Sequence, residues 1–284
     1  MTDQTQYTGW KCWEPSDSEL VDFYSTKKVP FEMQENEYLL IKDKESGQIN
    51  QFYRNNKGKA VEISHASIKI KDGNDMRVNK TITPRNPQQK CAIDMLHNDD
   101  ITIKLITGAW GTGKTMLLVT AALEAIKEGR FDRIVWIRNN VDVKDTKDLG
   151  SLPGTEIEKL LPFLGPFIDH AGGQKRVMKM IDDGQLVVTP LQFLRGRDLH
   201  NSIIMCSESE NLSKEHLQLI IARAGDGSAV WLDGDVKQRD KTVFEKSQGL
   251  ETLIKRLTGE KLFGYVRLIK SERSETAALA DKLD

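Results

Sequence analysis

Over most of this 284-residue chain, short apolar runs rich in β-branched residues alternate with longer amphipathic stretches. The runs are residues 101–107, 133–138, 186–189, 202–206, 229–232 and 266–269. Runs apolar on both faces predict strands of a covered parallel sheet. Residues 116–126, 214–223 and 250–257 lie between them and read as helices, the first with Gly129 as its stop. Repeated strand–helix units over 84–284 predict an α/β domain with helices on both faces of a parallel sheet. Ligands then bind at the carboxyl ends of the strands. Upstream the pattern changes. Residues 37–42, 48–54 and 60–63 read as short strands, with Ser46-Gly47 and Asn56-Lys57-Gly58 as turns. They predict a small antiparallel β module over 37–83. Residues 1–36 read as an irregular arm with one short helix, which starts at the capping box Ser16-x-x-Glu19. Trp10 and Trp13 have two open destinations, the main body or a partner subunit.

Between the run at 101–107 and the helix at 116–126 stands Gly108-Ala109-Trp110-Gly111-Thr112-Gly113-Lys114-Thr115. This fits the phosphate-binding loop G-x-x-x-x-G-K-[ST], and strand, glycine loop and helix come in the required order. Gly108, Gly111 and Gly113 let backbone N–H groups turn toward phosphate oxygens, and the helix N-terminus adds partial positive charge there. Lys114 is expected to reach the β- and γ-phosphates, and the Thr115 hydroxyl to ligate magnesium. The cofactors expected are therefore ATP and Mg2+.

Composition is that of an ordinary globular protein, 38% hydrophobic and 29% charged, with a mean hydropathy of −0.47. A net charge of −1 advertises no nucleic acid overall, so any such contact must use a local patch. Cys12, Cys91 and Cys206 show no zinc spacing, and their scatter suits a reduced, cytoplasmic setting. The five histidines show no metal-ligand spacing. The polar N-terminus predicts no signal peptide, and no apolar stretch reaches membrane-spanning length.

Further motifs follow in a set order: Pro84-Arg85-Asn86-Pro87-Gln88-Gln89, the glycine loop, Leu149-Gly150-Ser151-Leu152-Pro153-Gly154 with Glu158-Lys159, and Pro190-Leu191-Gln192-Phe193-Leu194-Arg195-Gly196-Arg197. Gly234-Asp235-Val236-Lys237-Gln238 and Ser271-Glu272-Arg273-Ser274 complete the set. Together they resemble the PhoH-like family of P-loop ATPases, over roughly residues 35–284. The ATPase half of the ribonuclease–PhoH fusions is the nearest pattern. The resemblance implies a RecA-like core related to the first motor domain of superfamily-1 helicases. It also implies a homo-oligomer, a hexameric ring by family pattern, and an ATPase linked to RNA or single-stranded DNA.

By that resemblance Gln89 reads adenine, while Asp235 and Gln238 sense the γ-phosphate. Arg273 contacts phosphate in the manner of an arginine finger, which suits a fixed charge with paired donors. Arg138, Arg195 and Arg197 are candidates for contact with nucleic acid or a neighbouring subunit, although Arg138 precedes Asn139 where the family carries proline. Residues 156–161, with Pro162 and Pro166, read as a loop–helix insertion. The family pattern Asp-Glu-Ala-Gln-Asn appears here as Ser207-Glu208-Ser209-Glu210-Asn211. Glu208 keeps the position that polarises attacking water, but the magnesium-side carboxylate is Ser207. A serine offers oxygen without charge, so metal retention and hydrolysis should suffer more than nucleotide affinity. Asp233, at the end of a neighbouring strand, is the expected compensation, with Asp235 the second candidate. Three functions stay open: an ATPase coupled to nucleic acid, a nucleotide-gated binding or assembly protein with slow or lost hydrolysis, and a small-molecule kinase. The chain shows no acceptor-substrate motif for the third.

Overall fold

The computed structural model describes residues 7–70, 80–138, 161–236 and 249–273. Twelve described strands are β1 Trp10–Trp13, β2 Tyr38–Lys42, β3 Ile49–Asn56, β4 Lys59–Glu62, β5 Ile68–Ile70, β6 Lys80–Ile82, β7 Ile103–Gly108, β8 Arg133–Arg138, β9 Leu186–Pro190, β10 Ser202–Cys206, β11 Ala229–Gly234 and β12 Phe263–Leu268. The described α-helices are α1 Asp17–Thr26, α2 Pro87–His97, α3 Lys114–Lys127, α4 Gly165–Ala171, α5 Gln174–Asp182, α6 Lys214–Ile221 and α7 Gly249–Leu257. The motifs at 149–154 and 158–159, residues 156–160 of the expected helix at 156–161, and Gln238 lie outside the described residues; Leu161 opens a 3-10 turn, Leu161–Leu164.

Six strands form one sheet in the order β12-β7-β11-β10-β8-β9, every pair parallel. Alternation along each strand feeds two cores. Ile106, Ile134, Trp136, Ile203, Met205 and Trp231 face α2, α3, α4 and α5. Leu105, Val135, Ile137, Ile204, Val230 and Leu232 face α6 and α7. Burial on both faces is why these strands read as unbroken apolar runs. Lys104 is the charged exception in β7. It is fully buried, donates to the Leu96 carbonyl at 2.8 Å, and lies 4.8 Å from the Trp231 ring centre.

The upstream sheet has the order β1-β2-β3-β4. Its β2–β3 and β3–β4 pairs are antiparallel, as the turns predict. The first strand corrects the reading of residues 1–36 as irregular apart from one helix: Trp10–Trp13 pairs with β2 in parallel. Four residues with a lysine between two aromatics give too short an alternation to announce a strand, and the partner lies far along the chain. The helix at 17–26 does form, with both halves of the capping box in place. Of the two destinations for the tryptophans, the body is the one seen. The Trp10 indole N–H donates to the Arg267 carbonyl on β12 at 2.9 Å. Trp13 packs edge-on against Phe23 and Phe31. The last sheet strand spans Phe263–Leu268, shifted from the expected 266–269, and Ile269 is exposed.

Candidate nucleotide site

The loop after β7 turns through three glycines with positive φ: Gly108 at 155°, Gly111 at 72° and Gly113 at 91°. A Cβ on Gly108 would overlap the Leu268 carbonyl, and one on Gly111 would overlap the Arg273 side chain. Glycine is required at both for backbone and neighbours to approach. Lys114 Nζ donates to the Gly108 and Ala109 carbonyls at 2.7 and 3.1 Å. The buried Thr112 hydroxyl closes the loop onto the Ala109 carbonyl at 2.9 Å.

Beside this loop lies a cavity of about 430 Å3 at the carboxyl edge of the sheet. Its walls include Lys114, Thr115, Ser207, Glu208, Glu210 and Asp233. Strand order explains the grouping. Because β11 lies between β7 and β10, its end faces both the glycine loop and the segment after β10. Cys206 pairs with Leu232 and Ile106 with Asp233, so Ser207 and Asp233 come side by side, with Asp233 flanking the loop strand. The Thr115 hydroxyl donates to Asp233 Oδ2 at 2.6 Å, and the Ser207 hydroxyl lies 3.5 Å from that of Thr115. Burial pushes the Asp233 carboxyl above its ordinary range, opposed by hydrogen bonds from Thr115 and Ser207 and by the Lys114 charge. Two hydroxyls and a carboxylate converging on one point form a hard oxygen set that fits magnesium.

Glu208 begins the turn after β10 with φ 55°, a left-handed conformation uncommon outside glycine. Its backbone N–H donates to Asp233 Oδ1 at 3.0 Å, so the same carboxylate holds both the loop threonine and this turn. Glu210 accepts from the Asp235 N–H at 3.1 Å and ties the turn to the end of β11. Burial pushes the Glu210 carboxyl up to about 7.

Gln89, nearly fully buried, lies against the loop from α2. Its amide donates to the Thr112 carbonyl at 2.9 Å and accepts from the Arg85 N–H at 2.8 Å. Arg273 lines the cavity. Asp235 is buried but is not among the cavity-lining residues. Arg195 and Arg197 are exposed beyond the edge strand β9, away from the cavity, and Arg138 ends β8 with its side chain outside the described set. Residues that the sequence reading left without a role also line the cavity: Arg85, Trp110, His170, Glu210 and Glu272. Arg85, Trp110 and Glu272 lie inside the quoted motifs and Glu210 stands where the family pattern has glutamine, so each carried a signal of position without a role; His170 carried none. His170 arrives from α4, and its imidazole is held below its ordinary range by burial.

The family model described as PhoH-like protein matches residues 81–280. Protein PhoH2 of Mycolicibacterium smegmatis is 36% identical over 202 residues, covering 70% of this chain and 46% of that protein. Protein PhoH2 of Bacillus subtilis is 33% identical over 211 residues, 71% of this chain and 47% of that protein. The chain thus spans about half the length of these curated relatives. A solved structure, the flagellar accessory protein FlaH from Methanocaldococcus jannaschii, overlaps 54% of this chain and 66% of its own at 14% identity, with a TM-score of 0.31.

Proposed function

This chain belongs to the PhoH-like protein family, and from that premise we propose that it is a magnesium-dependent ATP hydrolase whose metal-side carboxylate is Asp233 in place of the acid missing at Ser207. The observation that carries this reading is the 2.6 Å hydrogen bond from Thr115 to Asp233. A carboxylate beside the loop threonine restores the charge that serine lacks. Thr115, Ser207 and Asp233 would hold the ion, directly or through its water. When bound, magnesium neutralises phosphate charge and orients the phosphates for in-line attack. The glycine-loop N–H groups and Lys114 bind the triphosphate, and Arg273 meets its terminal end. Glu208 holds the attacking water and takes its proton. The left-handed backbone at Glu208 and its N–H bond to Asp233 support that role, because they fix where the turn carries the carboxylate into the cavity. Gln89, expected to read adenine, has its amide engaged by the Thr112 carbonyl and the Arg85 N–H. Its part in this reading is therefore to fix the loop against α2 beside the base, and Asp235 with Gln238 forms the sensing segment after β11.

Coupling to RNA or single-stranded DNA, with Arg138, Arg195 and Arg197 as contacts, and assembly into a homo-oligomeric ring extend this reading on family grounds. The competing reading, a nucleotide-gated assembly protein with lost hydrolysis, draws on Ser207 alone and is weakened by Asp233. Phosphate release by purified protein, with and without RNA, separates them. Turnover that rises with RNA is expected. Tight ATP binding with no turnover at any magnesium concentration would overturn the hydrolase in favour of the assembly protein. Glu208→Gln should bind ATP while losing turnover by about 10²-fold or more.

A further inference from the structure

Trp110 is the one large aromatic of the glycine loop, and 58% of its surface is exposed. No phosphate contact requires an indole there, and burial does not explain it. What the ring does touch is Arg273, whose guanidinium carbon lies 5.7 Å from the ring centre. Both residues line the cavity. The segment carrying Arg273 is fastened to the same stretch of loop. The Glu272 N–H donates to the Gly111 carbonyl at 2.9 Å, the Ser271 hydroxyl to the Trp110 carbonyl at 3.4 Å, and the Arg273 side chain lies in the space a Cβ of Gly111 would fill. From the far side, Asn86 Nδ2 donates to Glu272 Oε1 at 2.9 Å.

We propose that Trp110 is a positioning residue for Arg273: its ring face holds the guanidinium at the cavity wall, where Arg273 meets the terminal phosphate of a nucleoside triphosphate. This rests on the nucleotide reading above and assigns the loop tryptophan a part in it. An arginine on a free tether samples many rotamers, and ordering it at the moment of binding costs entropy. A π face removes part of that cost while leaving the paired N–H donors free for phosphate oxygens. With Arg273 assigned to the terminal phosphate, the contact is expected to favour a triphosphate over a diphosphate.

The test is calorimetric affinity for a non-hydrolysable ATP analogue relative to ADP, each with magnesium, in the wild-type chain and in Trp110→Ala, Trp110→Phe, Arg273→Ala and the double alanine variant. Arg273→Ala should cut the preference for the triphosphate by about tenfold or more. Trp110→Ala should cut it by about three- to tenfold, with Trp110→Phe keeping most of it. In the Arg273→Ala background, Trp110→Ala should cost nothing further, because it acts through the arginine. Equal losses from Trp110→Ala with and without Arg273 would make the tryptophan a loop-shaping residue and overturn the inference. An unchanged preference in Trp110→Ala would overturn it as well. A wild-type chain that binds neither nucleotide would instead sink the nucleotide reading itself.

Discussion

Asp233 on β11 and Ser207 just past the end of β10 flank the Thr115 hydroxyl, and their positions set the simplest residue-scale experiment. Asp233→Asn should raise the magnesium needed for half-maximal turnover about 10- to 100-fold. Ser207→Asp alone should not help, because a second carboxylate beside a buried one raises the proton affinity of both. The paired change Ser207→Asp with Asp233→Asn should bring magnesium dependence back toward wild type; a magnesium titration that stays shifted would count against the two positions being interchangeable. A second residue-scale prediction concerns Lys104, pulled down to about 7 by burial. Below about pH 7 native and unfolded chains both hold the proton, and the full cost of the buried charge is present. Between there and the ordinary value of 10.5 the unfolded chain holds a proton the native chain has lost, so stability rises with pH. Lys104→Met should therefore be more stable than wild type at pH 7 and flatter across that window, as read by urea midpoints at pH 7 and 9.

At the scale of elements, α2 joins the loop to the segment after β12. Asn86 caps the helix by accepting from the Gln89 N–H at 2.9 Å while its amide donates to Glu272. Asn86→Ala should cost about 1 kcal/mol from the cap alone, visible in denaturant unfolding. It should also weaken triphosphate binding, since Glu272 loses a tether beside Arg273. Of these two helices α3 was legible, because the glycine loop announces it; α2 was not read as a helix, although Asn86-Pro87 carries a start signal that could have shown it. The sheet strands were legible because burial on both faces writes itself as apolar runs. The start of β12 was not, because Phe263-Gly264-Tyr265 breaks the run with a glycine that packs against Met95 and Ile101. His170 was invisible as a wall residue, since it owes its place to a helix far from the motifs in sequence, whereas Arg85 and Glu272 lay inside quoted motifs but had no role assigned.

For the molecule as a whole, the arm binds the upstream sheet to the edge of the central one. The Thr8 carbonyl accepts from the Arg267 N–H, the Gly9 carbonyl from the Tyr38 N–H, and the Trp10 indole reaches the Arg267 carbonyl. Trp10→Ala should speed amide exchange at both Arg267 and Tyr38, although one lies on β12 and the other on β2; protection lost at only one of them would argue against a shared clasp. The two sheets were each legible in outline, but this clasp was not, because a four-residue strand leaves almost no pattern. The central strand order has one more consequence. A strand inserted between the loop strand and its chemical partner offers a second tip from which an acid can reach the same point in space. If Asp233 supplies the metal-side charge as proposed, an acid absent from one tip is replaced by one on the next. In proteins wired this way, the vacancy in a familiar string of letters is a poor guide to whether the chemistry has gone.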